Sequence, residues 1–250
     1  MTTVVEKPKI VLPTKKSEVD NKWIDQKTGM IGPAGIGKSK FWSYANGLYI
    51  QTEAGLNHLS VFKVVCRCWD DFKETYTLLL HDANSGSFKY DTIIIDTIDR
   101  FLDLIHEEVI ARGRAKFKAV EINTIGDIPN GAGWAWAQEL MEHTLSKLES
   151  LPAHIVYIGH LEQKEIKEPT RSIHKATISI GGKMGGLLTA WPDHLLNINA
   201  QYQGNKIVRN VRTLPTANIE AKSRGGVVQD GWTWTDSDEE NFSKFRGMFK

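Results

Sequence analysis

Cysteine is scarce in this chain: two among 250 residues, Cys66 and Cys68. Two thiols spaced i, i+2 in an alternating apolar run share one face of a strand. They build neither a disulfide framework nor a metal-ligand set, and they read as reduced packing residues of a cytoplasmic protein. An excess of one charge is also missing. The net charge of +1 excludes a global pull towards nucleic acid or membrane, so any nucleic-acid contact must come from local clusters. No apolar run approaches the roughly 20 residues of a membrane span, and no signal-peptide pattern opens the chain. No internal repeat or low-complexity segment is present. The base-reading motif N-K-x-D is absent, which argues against a GTPase.

What is present is concentrated in one stretch. Gly32-Pro33-Ala34-Gly35-Ile36-Gly37-Lys38-Ser39 satisfies the phosphate-loop pattern G-x-x-x-x-G-K-[ST] at every fixed position. The glycines let the backbone curl so that successive N–H groups face one concavity. Lys38 then reaches the β/γ-phosphates and the Ser39 hydroxyl ligates Mg²⁺. A helix beginning near Lys38 adds the positive end of its dipole. ATP and Mg²⁺ are the expected cofactors.

The length and the 41% hydrophobic content suit one α/β domain with a small appendage. Residues 1–21 read as an extended arm with one short strand at Ile10–Leu12, residues 22–228 as the ATPase domain, and residues 229–250 as a tail whose short helix starts at Asp236–Glu240. Lys22–Ile31 feeds the phosphate loop, but only Met30 and Ile31 suit a buried strand. Ser39–Ala45 reads as helix, stopped at Asn46-Gly47. Leu48–Glu53 and Val61–Cys68 read as strands, and Asp70–His81 as helix. Asp91-Thr-Ile-Ile-Ile-Asp96 is the clearest buried strand, a Walker B pattern that brings the Asp96 carboxylate to the Mg²⁺ shell. Helices are expected over Arg100–Arg112 and Gly133–Ser150, with a strand over His154–Gly159 ending at His160. Gly113–Ala132 and Leu161–Ala176 read as long loops. Trp134 and Trp136 read as core or helix anchors. A glycine-rich turn and helix cover Gly181–Ala190, and Gly204-Asn205 turns a hairpin between His194–Tyr202 and Lys206–Leu214. The expected architecture is a mainly parallel sheet flanked by helices, with a C-terminal β-hairpin extension.

Hydrolysis needs a carboxylate to orient the attacking water. Thr97, not an acid, follows Asp96, so the acid comes from elsewhere, and Glu53 at the end of its strand is the best placed. Tyr49-Ile-Gln-Thr-Glu53-Ala-Gly-Leu56 resembles the strand and catalytic glutamate of the RecA-type recombinases. Ile155-Val-Tyr-Ile-Gly-His160 resembles their strand ending in a polar γ-phosphate sensor, a position commonly Gln in bacterial RecA. Over residues 28–226 the chain is most similar to the phage-encoded RecA-like ATPases of single-strand annealing and recombination. That resemblance implies a RecA-like P-loop NTPase core in a host cytoplasm. It implies Glu53 as the base, Asp96 in the Mg²⁺ shell and His160 as the sensor. Lys222 and Arg224 match the place where such filaments supply cations across a protomer interface to the neighbour's ATP, which implies a homo-oligomer.

In RecA-type proteins the loops at the two long-loop positions grip single-stranded DNA. The first carries Arg112, Arg114, Lys116 and Lys118 around Phe117, and the second carries Lys164, Lys167, Arg171 and Lys175. Cations with an aromatic platform give sequence-independent, salt-sensitive binding. Two other readings stay open. One is a small-molecule kinase with Arg112-Gly-Arg114-Ala-Lys116 as its lid; the other is an ATP-gated module that loads a partner protein.

Overall fold

The structure, a computed structural model, describes residues 12–17, 19, 21–167, 172–204 and 206–250. Ile10 and Val11 of the expected N-terminal strand lie outside the described residues, as does Arg171. The strands are β1 (Lys27–Gly32), β2 (Gly47–Gln51), β3 (Phe62–Val65), β4 (Thr92–Asp96), β5 (His154–Lys167), β6 (Ser172–Ile178), β7 (His194–Gln203), β8 (Lys206–Arg212), β9 (Lys222–Ser223) and β10 (Trp232–Trp234). The helices are α1 (Lys38–Trp42), α2 (Trp69–Ser85), α3 (Ile98–Lys116), α4 (Ala132–Glu149), α5 (Gly182–Ala190) and α6 (Asp238–Arg246).

The sheet runs β10-β8-β7-β1-β5-β4-β2-β3. From β7 to β3 every neighbouring pair is parallel, and β8 and β10 continue the sheet antiparallel. Helices cover both faces, so the central strands are apolar on both sides. In β4, Ile93 and Ile95 enter the core under α2, α3 and α4, while Ile94 enters the opposite core under α1 and α6. β1 is longer than Met30 and Ile31 alone suggest, because the buried Thr28 side chain bonds the His154 ring at 2.9 Å.

The second core is aromatic. Phe41 and Trp42 of α1 both meet Phe242 and Phe245, and Trp42 also meets Trp23, at ring separations of 5.5–6.1 Å. Five residues cannot hold a helix by propensity. These contacts fix α1, and with it the phosphate loop. The segment after residue 228 is therefore built into the sheet edge and this core, through Trp232, Trp234, Phe242, Phe245 and Phe249.

Three expectations are corrected. Over its described residues, Leu161–Lys167 and Ser172–Ala176, the polar stretch expected as a loop is strand. β5 continues past His160 and pairs antiparallel with β6, from Leu161 opposite Ile178 to Lys167 opposite Ser172. Gly113–Ala132 is not a free loop either, since α3 runs on to Lys116 and the rest is packed. Ile122, Ile125 and Ile128 are buried, and Arg114 Nε donates to the Ile122 carbonyl at 2.7 Å. The two cysteines do not share a strand face. β3 ends at Val65, Cys66 is buried and Cys68 is the exposed N-cap residue of α2.

Two histidines sit buried at the amino edge of the sheet. His194 bonds Gln26 Oε1 at 3.1 Å and Ser223 Oγ at 3.3 Å. Burial pushes its pKa down to about 4, and burial pushes the His154 ring well below its usual range. Unfolding frees both rings to titrate near 6.5. Between pH 6.5 and 4 the unfolded chain therefore binds protons that the folded chain refuses. Stability should be full above pH 6.5 and fall as the pH drops, by roughly 2–3 kcal/mol at pH 4.5 from His194 alone. Urea titrations at pH 7.5 and 4.5 measure this, with His194→Gln flattening the difference.

Candidate nucleotide site

β1 ends at the buried Gly32, and Pro33, Ala34 and Gly35 arch over it in the open. Gly35 and Gly37 hold φ of +74° and +106°, where a side chain is strained. Lys38 opens α1 as a buried residue, and its Nζ donates to the carbonyls of Gly32 at 2.8 Å and Pro33 at 2.9 Å. Burial lowers the pKa of this ammonium, and the negative charges of Asp96, Asp99 and Glu53 oppose that shift. The Tyr49 hydroxyl of β2 donates to the Ser39 carbonyl at 2.6 Å, tying the first turn of α1 to the sheet.

The acids arrive from the next parallel strands. Asp96 ends β4, and Gln51 of β2 is its register partner. The backbone N–H groups of Thr52 and Glu53 both donate to the Asp96 carbonyl, at 2.9 and 3.3 Å. The Thr52 hydroxyl donates to the Thr97 carbonyl at 2.8 Å, and the Thr97 hydroxyl donates to Glu53 Oε2 at 3.1 Å. The Glu53 carboxylate is thus pinned beside Asp96. The Ser39 hydroxyl faces the buried Asp96 carboxyl. Burial raises its pKa, against the pull of that hydroxyl and of Lys38. A hydroxyl and a carboxylate oxygen side by side form a hard-donor pair that suits Mg²⁺, which takes one or two protein oxygens and fills its octahedron with phosphate and water.

A family model described as an AAA domain matches residues 24–225. The chain belongs to this AAA-domain family. No curated protein matches it. Among solved structures, a KaiC-like protein from the hyperthermophilic archaeon Pyrococcus horikoshii OT3 is similar at 9% identity, over 86% of this chain and 87% of that one, with a TM-score of 0.47. The AAA domain is a P-loop ATPase domain, and among its described residues no helix is long and apolar enough to cross a membrane.

The AAA domain carries one acid at this site that sequence reading passed over. Asp99, in the first turn of α3, accepts from the His160 backbone N–H at 3.0 Å and lies 3.3 Å from His160 Nδ1. Its other oxygen accepts from the Ser179 hydroxyl. It joins the base of the β5–β6 hairpin to the start of α3. The available signal is Asp96-Thr-Ile-Asp99, a second acid one helical turn beyond the first.

The remaining candidates lie apart. Lys164 and Lys167 are exposed on the hairpin, and Lys175 is half-buried, 3.6 Å from Glu220. Arg112, Arg114 and Lys116 ride the last turns of α3, with Lys118 just beyond. At 1.5 Å per residue they lie about 20–30 Å down that helix from Asp99. Arg112 Nε bonds Glu108 at 2.8 Å, and Lys116 lies over the Trp136 ring at 4.9 Å. Trp136 stacks on Phe117, whereas Trp134 is 61% exposed and is no core residue. Lys222 Nζ donates to the Ala190 carbonyl at 2.6 Å, and Arg224 bonds Asp193 at 2.9 Å. Both sit at the amino end of β7, Lys222 in register with Gly29 and so about 10 Å along the strands from Gly32, and Arg224 about 17 Å from it. Both side chains are turned to the Ala190 carbonyl and away from the phosphate loop of their own chain.

Proposed function

We propose that this AAA domain hydrolyses ATP·Mg²⁺ as a RecA-type ATPase and acts on single-stranded DNA in recombination. One observation carries the reading: Lys38, Ser39, Asp96 and Glu53 converge at the carboxyl edge of neighbouring parallel strands. The phosphate-loop N–H groups hold the phosphates and Lys38 moves from its two carbonyls to the β/γ-oxygens. Glu53, steadied by Thr97, orients the attacking water and takes its proton. Ser39 and Asp96 would hold Mg²⁺, which when bound would supply neutralisation of the phosphate charge. Lys38 remains to stabilise the charge on the transferring group.

The DNA part of the reading rests on β5. The strand that bears His160 continues without a break into a hairpin carrying Lys164, Lys167 and Lys175. Such cations bind phosphates without regard to sequence. For Lys222 and Arg224, support for action on a neighbour's ATP comes from their position at the edge of the sheet opposite the phosphate loop. A head-to-tail oligomer brings those two edges together.

ATP turnover with and without single-stranded DNA, at low and moderate salt, tests the whole. Stimulation that fades as salt rises is expected. Basal turnover indifferent to DNA would remove the nucleic-acid reading. ADP formation that rises with a metabolite would favour a small-molecule kinase, and tight ATP binding with negligible turnover would favour a partner-loading switch.

A further inference from the structure

The cation on the outer wall of the phosphate loop comes from β8. Arg209 Nη1 donates to the Ile36 carbonyl at 3.2 Å and lies 3.0 Å from where a Cβ on Gly37 would stand. Its guanidinium lies 4.9 Å over the Trp234 ring, whose edge comes within 3.9 Å of that same point. One buried carboxylate organises the group. Asp238, at the start of α6, accepts from Trp234 Nε1 at 2.7 Å, pairs with Lys40 Nζ at 2.9 Å and lies 3.5 Å from Arg209 Nη1.

A loop that turns its N–H groups inward turns carbonyls outward, and each outward carbonyl needs a donor. Arg209 supplies one at Ile36, two residues before Lys38. Stacking on an indole fixes the guanidinium plane, which a flexible ammonium does not match. One carboxylate faces two cations here, so a surplus positive charge stays beside the loop, of the sign that favours a polyphosphate.

We propose that Arg209 is a positioning residue for the phosphate loop and that Asp238 sets it in place, which makes the C-terminal helix, outside the family match, a working part of the nucleotide site. The inference rests on the ATPase reading above. By linkage, nucleotide binding and the docking of α6 strengthen each other.

The test uses the full chain and compares Arg209→Ala, Arg209→Lys and Asp238→Asn with the wild type. It reads the ATP·Mg²⁺ dissociation constant by calorimetry, KM and kcat for ATP, and Tm without nucleotide. Arg209→Ala should weaken ATP binding about tenfold, the loss expected for one charged hydrogen bond. KM should rise with it while kcat at saturating ATP stays close to wild type. Arg209→Lys, which keeps the charge and a donor, should recover most of the affinity. Asp238→Asn, which keeps an acceptor for Trp234, should shift KM in the same direction. Wild-type affinity in a folded Arg209→Ala chain would overturn the inference, as would a KM in Asp238→Asn equal to wild type. Affinity losses in both arginine variants that merely follow lost Tm would overturn it too. A wild-type chain that binds no ATP would instead sink the nucleotide reading itself.

Discussion

Glu53→Gln is expected to bind ATP·Mg²⁺ as the wild type does and to lose turnover by about 10²–10⁴-fold, the usual contribution of a positioned general base. The substitution is close to isosteric. The Glu53 N–H bond to the Asp96 carbonyl is backbone and survives it, and the amide oxygen still accepts from Thr97 Oγ1. What disappears is the negative charge that aligns water and receives its proton. Single-turnover assays with pre-bound ATP separate the two effects, because binding amplitude should persist while the rate collapses. An unchanged kcat would remove Glu53 from the role. The next carboxylate to test would then be Asp99, which shares the site through His160 and Ser179.

Lys38→Ala is expected to abolish measurable nucleotide binding, with the dissociation constant rising at least about a hundredfold for a buried cation–phosphate contact. The ammonium is held by two carbonyls of its own loop, and three carboxylates oppose the lowering of its pKa by burial. That arrangement stores a positive charge where water is excluded, so its removal leaves Asp96 and Glu53 unopposed beside incoming phosphates. Repulsion then adds to the lost contact. Calorimetric titration with ATP·Mg²⁺ measures it. Tight binding retained by the variant would undo the phosphate-loop argument.

The parts of this site that were legible in the sequence are those with short-range signatures. The loop glycines need particular backbone angles. The isoleucine run of β4 must be buried on both faces, and an acid at its end has few places to go. The strand leading to Glu53 is legible for the same reason. Segments whose pattern depends on distant partners were not. Ile122, Ile125 and Ile128 look like scattered apolar residues in a polar connection until α3 and α4 supply the surface they fill. Glu162 to Lys167 alternates no apolar face, because this hairpin projects from the sheet instead of lying in it, and only the cross-strand ladder with β6 identifies it as strand. Arg209 has no local mark at all. Its role is set by Asp238 and Trp234, which the chain reaches only after two more turns.

In the proposed reading β5 joins two jobs in a single strand, and its length has a mechanical consequence. Its first residues are clamped in the parallel sheet between β1 and β4, and the seven residues after His160 pair with β6, which is itself tied at Ala176 to Asn218 and Glu220. At about 3.3 Å per residue, the four residues beyond Gln163, the partner of Ala176, extend the arm by roughly 13 Å. A tilt of about 5° at that root would carry the far end of the ladder, at Lys167 and Ser172, about 1 Å. The stretch that holds Ala176 would therefore set how far the lysines of the arm can swing, with no separate hinge or transmitting helix.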